Sequence, residues 1–100
     1  MIWDHAKRVN GWVQAHDTEN GRSGQHLRIV KLMEEVGEVA AAVIGVHGQN
    51  PRKGITHSNH DVCSELADVI ITAMVAMHDY VPDPERFFDE HVRLRDSRLR

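Results

Sequence analysis

The sequence is poor in cysteine and in long apolar runs and has no excess of positive charge, and each shortage excludes a class of protein. Its single cysteine, Cys63, excludes an intramolecular disulfide and a cysteine-rich zinc site and suits a reducing cytoplasm. The most apolar run, 69–77, is far shorter than the roughly 20 residues that span a bilayer. The formal net charge of -3 leaves no surplus of cations for a nucleic-acid backbone. We therefore expect a soluble, cytoplasmic protein without a membrane or nucleic-acid partner.

The length predicts one domain. One hundred residues suffice for one hydrophobic core and not for two, so residues 1–100 are expected to fold as a unit. Hydrophobic residues make up 41% and charged residues 27% of the chain, the balance of an ordinary globular protein. The opening stretch 1–8 is mixed and does not resemble a charged-then-apolar leader. Since one small core is only marginally stable, a homo-oligomer is expected.

Glycine, proline and polar residues divide the chain into four segments of helical character. The expected helices are 2–16, 25–46, 59–80 and a last one that starts at 83–84. In that last helix Asp83 is the expected N-cap and Pro84 the first helical residue. Polar loops at 17–24 and 48–54 separate the earlier segments, and no period-two alternation predicts strands. The expected fold is all-α: a bundle of about four helices, completed by oligomerisation.

The two central segments carry apolar stripes at helical spacing. The stripe of the second segment comprises Ile29, Leu32, Met33, Val36, Val39, Ala40, Val43 and Ile44, with Lys31, Glu35 and Glu38 opposite. The stripe of the third comprises Val62, Leu66, Val69, Ile70, Ala73 and Met77, with Asp61, Glu65, Asp68 and Thr72 opposite. From Val69 onward the third segment is apolar almost all round, which indicates burial on more than one side. A second subunit would supply this extra burial.

Two acidic patterns stand on these helices: Glu34-Glu35-Val36-Gly37-Glu38 and Glu65-Leu66-Ala67-Asp68. Each contains two carboxylates at i, i+3, which are neighbours on a helix surface. If the two helices run antiparallel, the four carboxylates of Glu35, Glu38, Glu65 and Asp68 converge. Oxygen ligands alone select a hard cation, Mg²⁺ or Mn²⁺, which is usually completed by substrate phosphates. The pattern therefore predicts a metal site for phosphate-ester or anhydride chemistry.

Other interpretations of these residues remain open. Acidic pairs at this spacing also occur on solvated helix faces. A di-iron bundle needs Glu-x-x-His pairs, and neither Glu38 nor Glu65 has a histidine three residues on. The neighbouring histidines His57 and His60 are not expected to be ligands. Cys63 is expected to be a small core residue rather than a nucleophile.

Taken together, the motifs resemble those of the MazG family. The likeness rests on 31–38 and 61–71, which reproduce that family's EExxE motif, spacer and ExxD motif, and it covers about residues 25–80. The resemblance implies an all-α pyrophosphohydrolase that converts a nucleoside triphosphate to the monophosphate and pyrophosphate, assembled as a dimer or a pair of dimers. Carried over by position, the metal ligands are Glu35, Glu38, Glu65 and Asp68. Glu34, the extra acid of the first motif, is expected to position or deprotonate the attacking water.

Substrate-binding residues are predicted from charge and aromaticity. Many MazG-like proteins have a C-terminal Lys-x-x-x-Asn-x-x-Arg pattern, of which the stretch 91–98 keeps only Arg98 clearly. Lys31, one turn before Glu35, and the loop cations Arg52 and Lys53 are the other candidates for holding the triphosphate. Trp12 is a candidate platform for the base, although tryptophans of small helical proteins are more often core residues.

Two other functions fit the same sequence. The domain can be a non-catalytic helical interaction module, regulatory or antitoxin-like, which the altered C-terminal pattern favours and the four acids disfavour. Phosphoribosyl-ATP pyrophosphohydrolases share the size and the bundle but arrange their acids differently. The four acids and the resemblance to the MazG family favour a third function over these two. We expect a Mg²⁺-dependent (d)NTP pyrophosphohydrolase with a housekeeping role in the nucleotide pool.

Overall fold

A computed structural model of the chain describes residues 1–19 and 24–99. Within these residues it is all-helical, with four helices and no strand. The helices are α1 (Ile2–Glu19), α2 (Gln25–His47), α3 (Asn59–Met77) and α4 (Pro84–Asp96). The predicted all-α fold of four helices is confirmed. Of the predicted loop 17–24, residues 17–19 are helical and 20–23 lie outside the described residues.

Side-chain and glycine signals mark the starts of α3 and α4 and the end of α2 near the predicted positions, whereas α3 ends at Met77 and not at the predicted Tyr80. Ser58 and Asp61 form a capping box at the start of α3: the Ser58 hydroxyl accepts from the Asp61 N–H at 3.2 Å, and the Asp61 carboxylate accepts from the Ser58 N–H at 2.9 Å. Asp83 caps α4 by accepting from the Arg86 N–H at 3.2 Å. Gly48 ends α2 in the left-handed conformation, φ 61°, which favours glycine.

Helix α3 lies at the centre of the fold and packs against both α2 and α1. Helix α2 runs antiparallel to it, so that Glu35 lies near Glu65, and the connecting loop returns along α2 where the Thr56 N–H donates to the Gly45 carbonyl at 2.9 Å. Helix α1 packs against the C-terminal half of α3. Helix α4 packs loosely and is held mainly at its N-terminal end, where Trp3 of α1 lies 5.8 Å from Phe88 between ring centroids.

The hydrophobic core is small and lies mainly between α1 and α3. It consists of Ala6, Met74 and Val75, flanked by Trp3, Val9 and Ile71. Among the described residues no large side chain is fully buried. The radius of gyration is 16.8 Å, against about 13 Å for a compact chain of this length, and the extents are 48 × 47 × 22 Å. The single chain is therefore a thin plate.

The expectation that Cys63 is a core residue is wrong, whereas the expected second subunit remains untested. Cys63 is exposed and does not belong to the core, because the third-segment face on which it lies is not covered by α1 or α2. The extra burial expected from a second subunit around 69–77 is partly supplied within the chain, since α1 covers Met74 and Val75. Ile70, on another side of the same helix, remains 52% exposed.

Helix α2 turns its charged side inward and its apolar stripe outward. Glu35 is buried at 8% exposure, whereas Met33 is 71% and Val36 51% exposed. The side chains that the described part of α2 buries belong to Arg28, Glu35 and Ala42, which are seven apart and therefore form one line along the helix. Gly45, one turn beyond Ala42, is buried as well. An amphipathic helix of a self-sufficient domain would show the opposite orientation.

None of the helices in the described part of the chain combines the length and the apolar character that crossing a membrane requires.

Candidate metal centre

Three carboxylates converge between α2 and α3. One oxygen each of Glu35, Glu38 and Glu65 lies within 4.8 Å of the others. The i, i+3 spacing in α2 and the antiparallel packing of α3 produce this arrangement. Asp68, the fourth predicted ligand, is exposed one turn further along α3 and lies outside the group of three.

The electrostatics of the group are unfavourable for three ionised acids. Glu35 is nearly buried, with 11% of its side chain exposed, while Glu38 faces solvent. Repulsion from the Glu35 carboxylate raises the pKa of Glu38, and desolvation and the neighbouring Glu65 raise it further. The site therefore favours a proton or another positive charge.

One oxygen of this group is left without any donor. The Oε2 atom of Glu65 is buried, and no hydrogen-bond donor in the described part of the chain reaches it. A buried carboxylate oxygen without a partner is costly, so such atoms are rare. A protonated Glu38 can donate to Glu65, and a hard cation bound by the three carboxylates can take the place of that proton. The donor set thus fits Mg²⁺ or Mn²⁺.

A single lysine borders the acidic group on α2. Lys31 Nζ lies 3.3 Å from Glu35 Oε1 and donates to Glu34 Oε1 at 3.1 Å. The pKa of Lys31 is raised, mainly by its hydrogen bond with Glu34 and next by that with Glu35, so the amine stays charged. Glu34, the predicted catalytic residue, is exposed on the flank of the group. Lys31 therefore links Glu34 to the buried Glu35.

A largely apolar, open cavity of about 480 Å³ adjoins this lysine and lies between α1, α2 and α3. Its walls include Val9, Trp12, Val13, Leu27, Ile71 and Val75. The polar and charged residues of the lining are Asp17, Arg28, Lys31 and Thr72. Trp12 is 72% exposed and lines the cavity, so it is not a core residue. Lys31 lines the cavity and contacts Glu35 of the acidic group, so the two are contiguous.

The structure does not bring the remaining predicted cations to the acidic group. Arg52 and Lys53 lie exposed in the turn beyond α2, where the Lys53 N–H donates to the Asn50 carbonyl at 3.1 Å. At 1.5 Å rise per residue, the end of α2 at Gly48 is about 15 Å from Glu38. Arg98 is exposed in the turn after α4. Among the described residues, His57 and His60 take no part in any group that could hold a metal.

Sequence reasoning missed a polar network beside the cavity. Arg28 of α2 binds Asp79 through Nε and Asp17 of α1 at 2.9 Å through a terminal nitrogen. Asn10 donates to the Val75 carbonyl at 3.0 Å and to Asp79 at 2.9 Å, and Gln14 donates to Asp79 at 3.0 Å. The sequence contained one signal for it, because Arg28 lies seven residues before Glu35 and so on the same helix line.

The approach of α1 to α2 in this network depends on Gly24. A Cβ atom at Gly24 would lie 1.7 Å from the Asp17 carboxylate and 2.8 Å from an Arg28 nitrogen. Any side chain there would therefore displace the Asp17–Arg28 ion pair. The network fixes the position of α1 and with it the Trp12 wall of the cavity.

Comparison with known proteins finds no family model, no curated protein and no solved structure that matches this chain.

Proposed function

We propose that the chain is a Mg²⁺-dependent nucleoside triphosphate pyrophosphohydrolase that converts a (d)NTP and water to the (d)NMP and pyrophosphate, a housekeeping activity in the nucleotide pool. One observation carries the proposal: a three-carboxylate group with an unpartnered buried oxygen adjoins an apolar cavity through Lys31. The charged phosphate chain of a nucleotide, with its metal ion, fits the three-carboxylate group, and its flat base fits the apolar cavity. The likeness of the acidic motifs to those of the MazG family agrees with this proposal.

The proposed metal ligands are Glu35, Glu38 and Glu65, with Asp68 as a fourth from the next turn of α3. Carboxylate oxygens suit Mg²⁺, and Mn²⁺ is an acceptable substitute. A bound dication would screen phosphate charge and lower the pKa of a water molecule. The orphaned Oε2 of Glu65 supports this ligand set, because a cation there satisfies an atom that the chain leaves unsatisfied.

The chain's other residues would then bind and orient the substrate. Lys31 lies where the phosphates meet the cavity and can shift from Glu34 and Glu35 to a phosphate oxygen. The cavity would hold the base against Trp12. Glu34 would accept the proton of the attacking water. The water oxygen forms a new bond to phosphorus, the α–β anhydride bond breaks, and pyrophosphate leaves with its electron pair.

Arg52, Lys53 and Arg98 remain proposed phosphate contacts, although the geometry of the single chain favours Lys31. The proposed assembly is a homodimer or homotetramer.

The direct test is pyrophosphate release from a panel of standard and modified dNTPs with Mg²⁺. We expect wild type to hydrolyse at least one of them and Glu38→Gln to lose activity at least 100-fold, since Gln keeps the size and helix propensity of Glu but not its charge. Glu90→Gln on α4 is the matched control and should keep full activity. Circular dichroism would verify that both variants stay helical.

Two outcomes would contradict the proposal. Full activity of Glu38→Gln would remove the site assignment. No hydrolysis of any nucleotide by wild type, with Mg²⁺ binding shown by calorimetry, would favour the non-catalytic interaction module instead.

A further inference from the structure

A groove of about 330 Å³ lies between the start of α4 and the α2–α3 pair. Its walls include Ile29 and Leu32 of α2, Ala73 and Met77 of α3 and Phe87 of α4. Among the described residues that line it, none carries a charge. Single exposed hydrophobic residues are normal on a protein surface, but apolar side chains that converge on one groove mark a contact surface. We call this groove the α4 groove.

The α4 groove and the cavity beside Lys31 open on different sides of the α2–α3 pair. The cavity is lined by Lys31 of α2 and Thr72 of α3, whereas the groove is lined by Ile29 and Ala73 of the same helices. At 3.6 residues per turn, Ile29 and Lys31 point about 160° apart. The groove therefore does not belong to the candidate metal centre.

Helix α4 forms one wall of the groove and is otherwise hardly covered by the chain. All of its residues after Pro84 are exposed. The exposed residues include three large apolar ones, Phe87 at 51%, Phe88 at 39% and Leu94 at 51%. An amphipathic helix normally buries its apolar side against another element. Along most of α4 the described part of the chain supplies no such element.

The charges of α4 are divided unequally between its sides. Counted at about 100° per residue from His91, the residues Phe87, Phe88, Leu94 and Arg95 all lie within about 60°. The acidic residues of the helix lie at least about 100° away from His91 on the same count; they are Glu85, Asp89, Glu90 and Asp96. The apolar side of α4 therefore carries a basic group and no acid.

Two contacts connect the groove to this basic group. The ring of Phe87, which lines the groove, stacks on the ring of His91 with 6.3 Å between centroids. One turn further on, Arg95 Nε donates to His91 Nε2 at 3.5 Å. No carboxylate of the described residues forms an ion pair with Arg95, whereas Arg86, on the other side of α4, pairs with Glu90 at 3.1 Å. The guanidinium of Arg95 is thus available to an acid from outside the chain.

Charge complementarity indicates what binds there. An occupant of the groove needs apolar residues for the walls and carboxylates that reach Arg95. The stretch 83–99 contains five acids and four arginines, so α4 as a whole has no net positive charge to attract an anionic lipid surface. The described residues contain no strand that an extended peptide could pair with. The remaining mode is an amphipathic helix that lies in a groove between helices.

We propose that the α4 groove binds an acidic amphipathic helix of another protein. The apolar residues of that helix enter the groove beside Phe87, and its carboxylates pair with Arg95 along the apolar side of α4. The surface lies away from the acidic group, so the inference stands whether or not the protein hydrolyses nucleotides.

Fluorescence anisotropy with two synthetic helical peptides tests the proposal. The acidic probe has leucines at i, i+3, i+4 and i+7 and glutamates one turn further on; the basic probe has lysines in place of the glutamates, and both residues favour helices. We expect wild type to bind the acidic probe at least about 10-fold more tightly than the basic one. Arg95→Glu should weaken binding of the acidic probe about 10-fold and reverse the preference, because attraction becomes repulsion.

Arg93→Glu is the matched control, because Arg93 is an exposed arginine of the same helix turned about 160° away from Arg95. It should change the dissociation constant of the acidic probe by less than about twofold. Phe87→Ala should weaken binding of both probes, because it removes a wall of the groove and leaves Arg95 in place. Circular dichroism would verify that the variants keep their helices.

Four outcomes would overturn the proposal. Two are equal affinity of wild type for both probes and equal losses in Arg93→Glu and Arg95→Glu. Absence of probe binding together with self-association in sedimentation velocity would assign the groove to a second copy of the chain. Absence of probe binding together with flotation on phosphatidylserine vesicles, lost in Arg95→Glu, would assign it to a lipid surface.

Discussion

Two buried charged groups of this protein stand in contrast. In the network around Asp79, whose side chain has no exposed surface, the carboxylate is held by the Arg28 guanidinium and by two amide side chains. In the acidic group around Glu35, three carboxylates meet and Glu65 keeps a buried oxygen that no donor in the described residues reaches. The first group is satisfied by the chain, whereas the second is not.

The pKa directions express the same difference. Burial by itself would raise the pKa of Asp79, but the hydrogen bonds from Arg28, Asn10 and Gln14 outweigh it and lower the pKa. The pKa of Glu38 is raised, first by the charge of Glu35. A buried charge that is neutralised and hydrogen-bonded by residues of the same chain, as at Asp79, is typical of a group that stabilises the fold. A cluster of like charges is tolerated where something outside the chain completes it, which is why we assign the two groups different roles.

The largest expected effect comes from breaking the compensated group. Arg28→Ala leaves the Asp79 carboxylate buried without its cation, which should lower the free energy of unfolding by about 3–5 kcal/mol. Urea denaturation followed by circular dichroism measures it. Arg86→Ala, which breaks the exposed Arg86–Glu90 pair at 3.1 Å, is the control and should cost under about 1 kcal/mol. Equal losses in the two variants would show that burial of the Asp79 network is energetically unimportant.

A smaller effect, on catalysis, is expected from removing Lys31, the cation that borders the three carboxylates. Lys31→Ala should lower kcat/KM for a triphosphate by about one to two decades, the loss of one charge-assisted contact in the transition state. The double variant Arg52→Ala, Lys53→Ala should also lower kcat/KM, but by less than Lys31→Ala, because the two side chains start beyond the end of α2. Steady-state pyrophosphate release compares them. A larger loss in the loop variant would show that the loop closes over the phosphates.

The smallest expected effect is on the pH dependence of the free energy of unfolding, to which Glu38 and Asp79 contribute with opposite signs. The raised pKa of Glu38 gives stability that is complete below its usual value of 4.5 and is lost as pH rises through the raised value. The lowered pKa of Asp79 gives stability that is present above its usual value of 3.8 and is lost as pH falls through the lowered value.

Thermal melts across this range, with EDTA and with Mg²⁺, measure the Glu38 contribution. Without metal, the melting temperature should fall as pH rises above 4.5, and Glu38→Gln should flatten that fall. Added Mg²⁺ should raise the melting temperature of wild type at neutral pH by mass action. If neither Mg²⁺ nor Glu38→Gln alters the dependence of the melting temperature on pH, the acidic group does not bind the metal.

Much of the fold and part of the candidate site could be predicted from local patterns. Asp83 with Pro84 predicted the start of α4, and Gly48 the end of α2, because caps and breakers act within a few residues. The i, i+3 pair Glu35 and Glu38 predicted two neighbouring carboxylates, since helix geometry alone makes them neighbours. Glu65 could be added because antiparallel packing follows from a short connection.

The remainder depended on contacts between distant segments. Arg28 and Asp79 are 51 residues apart, and no periodicity links them. Asp68 shares the ExxD spacing with Glu65 yet lies outside the group of three, because the rotation of α3 about its axis decides which of two acidic neighbours faces α2. Cys63 follows the same rule: its position on the helix was predictable, but whether another element covers it was not.

The sequence by itself determined where the four helices lie, to within about three residues at their ends, and which acids share a turn, because these features depend on backbone geometry over one or two turns. Only the tertiary structure decided that α2 turns Glu35 and Arg28 inward and its apolar stripe outward. That choice depends on charges that distant residues supply, such as Asp79 for Arg28, and on how little of the apolar stripe one thin layer of helices can cover. Local periodicity identifies two faces of a helix, but the energy of pairing them with the rest of the chain selects the one that is buried.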